Sequence, residues 1–230
     1  MIINNTFQSR SQLDKKFALR IAKQLAAAIA DKGSASIAFS GGSTPKGLFT
    51  ELSNKNIDWS KVTVTLVDDR WVDTTSNDSN DRLLRENLLQ NYAVNATFFS
   101  LKQADNLTES YLADLTKLAN DFMPLDVAIL GMGEDGHTAS IFPCSAQVHQ
   151  GLDENAEPSL ITVVPTTVPY ERVTFNFAAL IQSSNLYLHV VGQSKQDVIS
   201  QALANDDASQ MPIRAFLQNK DKTCNIFWAE

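Results

Sequence analysis

Hydrophobic and polar residues follow two spacings that alternate along this chain. Apolar side chains recur every three or four positions over residues 13–30 and 107–122, which predicts two amphipathic helices. Ser11 is the predicted N-cap of the first helix, and Gly33 is its predicted end. Short apolar runs rich in β-branched residues predict strands between the helical segments. The predicted strands cover residues 36–39, 62–67, 98–99, 127–130, 160–164, 172–175, 186–191 and 224–228, and shorter helices cover 45–52, 81–89, 177–181, 196–204 and a segment opened by Pro212.

The order of these elements indicates the fold class. Strands alternate with helices over the whole length, and no linker, repeat or low-complexity tract interrupts them. This pattern predicts a single α/β domain over residues 1–230, with α/β/α layers around a largely parallel sheet. A chain of 230 residues is long enough to bury a substantial core.

Composition narrows the classes of function. The formal net charge is −7, so neither a nucleic-acid partner nor an anionic membrane surface is favoured. The two cysteines, Cys144 and Cys224, have no paired spacing and indicate neither a disulfide framework nor a zinc site. No apolar run approaches the ~18 residues of a membrane span, and the first residues lack the apolar core of a signal peptide. A cytoplasmic location is therefore expected, without a membrane partner.

The most informative stretch is GMGEDGH, residues 131–137, directly after a predicted strand. Glu134, Asp135 and His137 fall within four positions at the carboxyl end of that strand, where open α/β sheets bind ligands. A lone charged residue in a turn more often lies on the solvent-exposed surface without a function. Three ionisable residues within four positions favour a functional site. The glycine spacing also matches a dinucleotide fingerprint. Because Pro143 interrupts any long helix after the loop and two carboxylates would face a pyrophosphate, a nicotinamide cofactor is not expected.

Two further loops follow predicted strands. SGGSTP, residues 40–45, precedes a helix, so its backbone N–H groups and the hydroxyls of Ser43 and Thr44 offer an anion site. The alternative is an ordinary capped helix start. GQSK, residues 192–195, also joins a strand to a helix. Lys195 is either a solvated lysine in the first turn or a cation that reaches over the sheet edge.

These loops share a pattern with a known family. SGGSTP, DDRWV followed by Ser79 and Asn80, GMGEDGHTASIFP, PYERVTFN and GQSK resemble the 6-phosphogluconolactonase family, from about residue 10 to the last residue. The resemblance implies the sugar-phosphate isomerase-like α/β fold shared with glucosamine-6-phosphate deaminase. It also implies hydrolysis of 6-phosphoglucono-1,5-lactone to 6-phosphogluconate in the pentose phosphate pathway. The family usually has Asp-Glu-Arg where this chain has Asp68, Asp69 and Arg70, so Asp69 keeps the charge with a shorter reach.

Lactone hydrolysis requires a base for the attacking water and positive groups for the oxyanion. His137 is the predicted base, since histidine has a reference pKa near ~6.5. Asp135 or Glu134 would orient its ring. No metal and no cofactor is expected, because His137 has no companion ligand at a recognisable spacing. His149 and His189 are predicted to be non-catalytic.

The resemblance also assigns the substrate contacts. Arg70 is expected to face the reacting end of the sugar. Arg172 and Lys195 are expected to bind the phosphate, which requires cations because a dianion is costly to hold without them. The remaining predicted substrate-binding residues are Gly41, Gly42, Ser43, Thr44 and Asp69. The expected partner is a small phosphosugar lactone, and the sequence leaves open whether the chain is a monomer or a homodimer.

Two alternative functions would each require sequence features that can be checked in this chain. Deaminase-isomerases of this fold resemble one another in an Asn-Glu-Pro segment after the histidine and a tyrosine at the position of Arg70. This chain has Ile141, Phe142 and Pro143 in that segment. A non-enzymatic sugar-phosphate sensor would carry a basic helix-turn-helix segment, for which no room is expected before the first helix. Both comparisons favour the lactonase.

Overall fold

The structure, a computed structural model, describes all of residues 1–230. The strands are β1 (Ile2–Phe7), β2 (Ala35–Phe39), β3 (Val62–Leu66), β4 (Asp68–Arg70), β5 (Thr97–Phe99), β6 (Val127–Leu130), β7 (Leu160–Val163), β8 (Arg172–Phe175), β9 (Asn185–Val191) and β10 (Cys224–Ala229). The helices are α1 (Arg10–Lys32), α2 (Lys46–Ser53), α3 (Asn80–Asn87), α4 (Glu109–Ala119), α5 (Val148–Leu152), α6 (Phe177–Ile181), α7 (Gln193–Leu203) and α8 (Ile213–Leu217). Two short 3-10 helices occupy Trp59–Lys61 and Asn91–Asn95.

Seven strands form the main sheet in the order β1-β10-β9-β6-β2-β3-β5. Every neighbouring pair in this sheet is parallel. Helices flank the sheet, which confirms the predicted α/β class with a largely parallel sheet. Because β2, β6 and β9 are neighbours, the loops that follow them meet at one edge. The three glycine loops of the sequence are therefore brought together.

A second sheet was not predicted. It has three antiparallel strands in the order β4-β8-β7. The chain changes sheets at Val67, which bonds to Phe39 in the main sheet and to Phe175 in the second sheet. The apolar pattern predicted one strand over residues 62–67 and could not show that the next residues pair elsewhere, because side-chain alternation carries no information about the partner strand.

The core lies between the main sheet and its helices. A single cluster of 53 buried residues includes Leu13, Phe17, Ile21 and Leu25 on one face of α1. These positions follow helical spacing, so the apolar stripe of α1 covers the sheet. Phe17 stacks on Phe227 of β10 with ring centroids 4.2 Å apart. No helix is both long and apolar enough to cross a membrane.

Several predicted boundaries need correction. The N-cap of α1 is Ser9, whose hydroxyl accepts from the Gln12 N–H at 3.3 Å, and not Ser11. The exposed first turn of α1 carries no apolar residue that could mark it. Gly33 ends this helix with φ of 85°, as predicted. Strand β1 was missed because it is a polar edge strand, and helix α5 was missed because its five residues include Gly151, a poor helix former. Helix α7 begins at Gln193, which places Lys195 in its first turn.

Candidate active site

A cavity of about 320 Å³ lies at the carboxyl ends of β2, β6 and β9. Its polar lining comes from the three glycine loops, from strands β4, β8 and β9 and from the start of α3. The residues are Ser40, Gly41, Gly42, Ser43, Thr44, Asp68, Arg70, Asn80, Gly131, Gly133, His137, Arg172, His189 and Lys195. Eight of the ten predicted site residues are in this set, and the two outside it are Asp69 and Asp135.

His137 is held by the loop that follows β6. Its Nδ1 lies 2.6 Å from Asp135 Oδ1, which also accepts the His137 backbone N–H at 3.1 Å. Glu134 makes no contact of this kind, so Asp135 is the carboxylate that orients the ring. Partial burial raises the pKa of Asp135, but its hydrogen bonds with His137 outweigh burial and the pKa lies below the ordinary value. A Cβ at Gly133 would overlap the His137 ring, so this close approach requires glycine.

Lys195 lies at the rim of the cavity. Its Nζ is 2.7 Å from Glu134 Oε1, and the two side chains are 20% and 66% exposed. Ion pairs this exposed contribute little to stability. The glutamate therefore holds the ammonium group near the cavity at low energetic cost, and a bound anion can take its place.

Arg172 is the buried cation of the site. It is 7% exposed, its Nη2 donates only to the Pro169 carbonyl at 3.4 Å, and its Nε has no partner. Burial lowers the pKa of Arg172, with Asp68 acting in the opposite direction. Buried donors are nearly always satisfied. A guanidinium that lines a cavity with a free donor is suited to bind an anion.

Arg70 is oriented by a residue that the sequence analysis did not assign to the site. Arg70 Nη1 donates to Asn80 Oδ1 and to the Asp78 carbonyl, each at 3.0 Å. Asn80 Nδ2 donates to the Asp68 carbonyl at 3.0 Å. A Cβ at Gly41 would overlap the Asn80 amide, so this glycine admits the side chain. Asn80 thus links the first glycine loop to β4.

Asp69 differs from its predicted role as a substrate contact. Its carboxylate accepts the backbone N–H groups of Arg70, Asn80 and Asp81 at 2.7 to 2.9 Å. These bonds place a negative charge at the N-terminus of α3, where the helix dipole favours it. Burial raises the pKa of Asp69 to about 6, against the lowering effect of these bonds. Asp69 therefore positions Asn80 and Arg70 and does not line the cavity.

Asp68 faces the cavity where Asp69 does not. Successive strand residues point to opposite faces, so Asp68 and Arg70 share one face of β4. Asp68 is 6% exposed and accepts a hydrogen bond from the Ser140 hydroxyl. The cavity thus contains one buried carboxylate beside its arginines. In the sequence, the position of Asp68, Asp69 and Arg70 at a strand end indicated a carboxylate in the site, but the sequence analysis assigned that role to Asp69.

The first glycine loop has the features of an anion site. Helix α2 begins after Pro45 with no side-chain cap, which excludes the alternative that Ser43 or Thr44 caps it. Its first N–H groups therefore remain available. Arg10 Nη2 donates to the carbonyls of Ser43 and Thr44 at 2.7 and 2.8 Å. These bonds satisfy the loop carbonyls from outside the cavity and fix the loop.

His189 lines the cavity from β9 but is 3% exposed, and both ring nitrogens lack a hydrogen-bond partner. Its Nε2 lies 3.9 Å from Asp14 Oδ1. Burial lowers the pKa of His189 to about 3, helped by the charge of Arg10. Burial raises the pKa of Asp14 to about 6. His189 is thus held neutral, and His149 lies on α5 outside the cavity lining.

We expect a substitution of His189 to change how the free energy of unfolding depends on pH. The unfolded chain binds a proton near the ordinary value of 6.5, whereas folded His189 does so only near 3. The stability that neutral His189 contributes is therefore complete above pH 6.5 and declines as the pH falls. Relative to His189→Gln, we expect wild-type unfolding free energy to fall by about 2 kcal/mol between pH 7 and pH 5. Urea unfolding of both proteins measures it, and a pH-independent difference would contradict the assignment.

No group of three or more His, Cys, Asp or Glu side chains has the geometry of a metal site.

Comparison with known proteins gives a consistent result. The family model described as glucosamine-6-phosphate isomerases/6-phosphogluconolactonase matches residues 8–227. A 6-phosphogluconolactonase of Rhizobium meliloti is 43% identical over 224 residues, which cover 97% of each chain. One from Pseudomonas putida is 39% identical over 209 residues, which cover 90% of this chain and 85% of that protein. The crystal structure of a 6-phosphogluconolactonase from Shewanella baltica has a TM-score of 0.95 at 43% identity, covering 100% of this chain and 98% of the other.

The likeness in sequence and the likeness in fold extend over the same residues, including all the loops that form the cavity. A match of this extent is not explained by a shared architecture alone. The chain therefore belongs to the glucosamine-6-phosphate isomerase/6-phosphogluconolactonase family.

Proposed function

We propose that this chain hydrolyses 6-phosphoglucono-1,5-lactone to 6-phosphogluconate, with His137 as general base. The observation that carries the proposal is the Asp135–His137 pair in a cavity that Arg70, Arg172 and Lys195 also line. The names of the relatives described above support the same reaction. Cavity residues extend from Ser40 to Lys195, so we propose that the whole chain forms one catalytic domain.

The hydrogen bond to Asp135 determines which nitrogen of His137 acts as the base. Because Nδ1 of His137 faces this carboxylate, Nε2 is the nitrogen left to accept a proton. In the first step Nε2 takes a proton from water while the water oxygen bonds to the lactone carbonyl carbon. In the second step the ring C–O bond breaks, and the imidazolium returns the proton to the departing oxygen. Asp135 stabilises the imidazolium between these steps.

The oxyanion requires a positive group that is fixed before the reaction. Asn80 holds the Arg70 guanidinium at 3.0 Å, so little reorganisation accompanies the chemistry. Preorganised charge of this kind is usually the largest contribution to transition-state stabilisation. We assign this role to Arg70.

The phosphate requires several donors because it carries up to two negative charges. Arg172 offers a free Nε, Lys195 offers a movable ammonium group and α2 offers its uncapped N-terminus. Arg172, Lys195 and Pro45, the N-cap residue of α2, line the same cavity as His137. A six-carbon lactone with a terminal phosphate can thus place its ends on the two sets of groups.

A deaminase-isomerase reaction is the second candidate on this fold. Asp68 adds a carboxylate to the cavity, and such reactions use carboxylates as proton relays. However, Thr138 and Ser140 are the only polar side chains between residues 138 and 143. Arg70 also places a permanent charge in the site, which suits an oxyanion and disfavours a protonated amine. We therefore favour the lactonase.

One experiment separates the two reactions. We expect the protein to hydrolyse freshly prepared 6-phosphogluconolactone faster than its spontaneous opening, because the site supplies both a base and an oxyanion partner. We expect no ammonia from glucosamine 6-phosphate. A pH-stat follows the first reaction and an enzyme-coupled ammonia assay the second, with protein-free blanks. Ammonia release at a rate comparable to lactone opening would contradict the lactonase assignment and support the isomerase reaction.

A further inference from the structure

One aromatic ring contacts both functional ends of the cavity. The ring of Phe142 stacks on the imidazole of His137, with centroids 4.0 Å apart and planes inclined by 26°. The Arg172 guanidinium carbon lies 5.0 Å from the centroid of the same ring. We propose that Phe142 is a positioning residue that fixes His137 for the chemistry and Arg172 for phosphate binding. This inference rests on the proposed function.

The ring is fixed from the second sheet. Phe142 is 2% exposed and packs with Ile161 and Val163 of β7 in a cluster of three buried residues, separate from the main core. Its carbonyl accepts the backbone N–H and the hydroxyl of Ser145 at 3.1 and 2.9 Å. The short sheet thus supports the ring as well as supplying Arg172, since β8 pairs with β7.

Apart from the Phe142 ring, few contacts fix the orientation of His137 and Arg172. Arg172 has one long hydrogen bond and a free Nε, so before substrate binds its orientation depends on packing. His137 is held at Nδ1 by Asp135, but one hydrogen bond leaves the ring free to rotate about its direction. Stacking on Phe142 removes that freedom.

The ring also suits the charges that form during turnover. The face of an aromatic ring is negative and attracts cations, including guanidinium and imidazolium groups. Arg172 is a permanent cation, and His137 becomes one when it takes the proton from water. An aliphatic side chain of similar size would fill the space without this attraction. The role therefore requires an aromatic ring at position 142.

Kinetics of Phe142→Leu test the proposal. We expect kcat to fall about 10-fold and KM for the phosphorylated lactone to rise about 10-fold, corresponding to the loss of cation–π contacts at a desolvated site. With unphosphorylated gluconolactone the loss in kcat should remain and the change in KM should disappear. Phe142→Tyr keeps the ring face and should restore both constants to within about 3-fold of wild type.

Phe227→Leu is the matched control. Phe227 is also 2% exposed and stacked on another ring, at 4.2 Å from Phe17, but its ring contacts neither His137 nor Arg172: its partners are Phe7, Phe17, Tyr187 and Arg20. We expect this variant to lose thermal stability like Phe142→Leu while its kcat and KM stay near wild type. Equal kinetic losses in the two variants, or wild-type kinetics in Phe142→Leu, would overturn the proposal.

A spectroscopic measurement tests the same contact without activity. The chain has only 3 histidines, so their ring proton signals are resolvable by NMR, and His137→Gln identifies those of His137. Stacking on Phe142 should shift these signals upfield in wild type and in Phe227→Leu, but not in Phe142→Leu. Absence of the shift in wild type would refute the proposal. A shift in a protein that does not hydrolyse the lactone would refute the proposed function and leave the placement of the ring intact.

Discussion

Replacing His137 by alanine is expected to lower kcat for lactone hydrolysis by about 10²- to 10⁴-fold, the usual effect of removing a general base. The fold should remain, because the side chain is 29% exposed and lies outside the main hydrophobic cluster. KM should change little, since the cations that bind phosphate are untouched. A pH-stat assay corrected for spontaneous hydrolysis measures the loss, and circular dichroism checks the fold.

His149→Ala is the control for this result. It removes the histidine of α5, which is exposed and outside the cavity, so kcat should stay near wild type. Asp135→Asn should fall between the two, because an amide keeps contact with Nδ1 but cannot stabilise an imidazolium. A folded His137→Ala protein with near wild-type kcat would remove His137 from the mechanism.

Replacing Arg172 by alanine is expected to raise KM for the phosphorylated lactone by about 10- to 150-fold. The range corresponds to one charge-assisted hydrogen bond, about 1.5–3 kcal/mol. Lys195→Ala should have the smaller effect of the two, because Lys195 is partly exposed and must leave Glu134 to bind an anion. Neither change should affect turnover of unphosphorylated gluconolactone to the same degree. Initial rates on the two substrates measure this difference.

Lys32→Ala provides a matched control for the lysine. Lys32 forms an ion pair of 2.9 Å with Asp126, which lies before β6 and therefore at the opposite edge of the main sheet. Its loss should leave both kinetic constants unchanged. If Arg172→Ala and Lys195→Ala impair the phosphorylated and unphosphorylated substrates equally, these residues act in folding or in the chemical step and do not bind phosphate.

Much of this site follows from local sequence. The apolar runs ending at residues 39, 130 and 191 are strands of one parallel sheet, and each leads into a glycine loop. Parallel strands place their carboxyl ends at one edge, so the loops that carry Ser43, His137 and Lys195 had to converge. The fold class and the location of the cavity were therefore predictable from spacing and loop chemistry.

Other features depend on pairing that the sequence does not encode locally. Asp68 and Asp69 are neighbours of the same type, yet one lines the cavity and the other binds the start of α3. Which of them faces the cavity depends on β4 pairing with β8 in a second sheet, and strand alternation then fixes the rest. The same pairing places Arg70 opposite Arg172.

The sequence by itself determined most helices, most strands and the three glycine loops, and it led to the prediction that His137 is the base, because these depend on residue types a few positions apart. Only the tertiary structure decided that Asp135 orients His137, that Asn80 holds Arg70 and that Phe142 contacts both His137 and Arg172. Those contacts join residues from separate loops and from two sheets. Their geometry depends on long-range strand pairing and packing, which local spacing cannot specify.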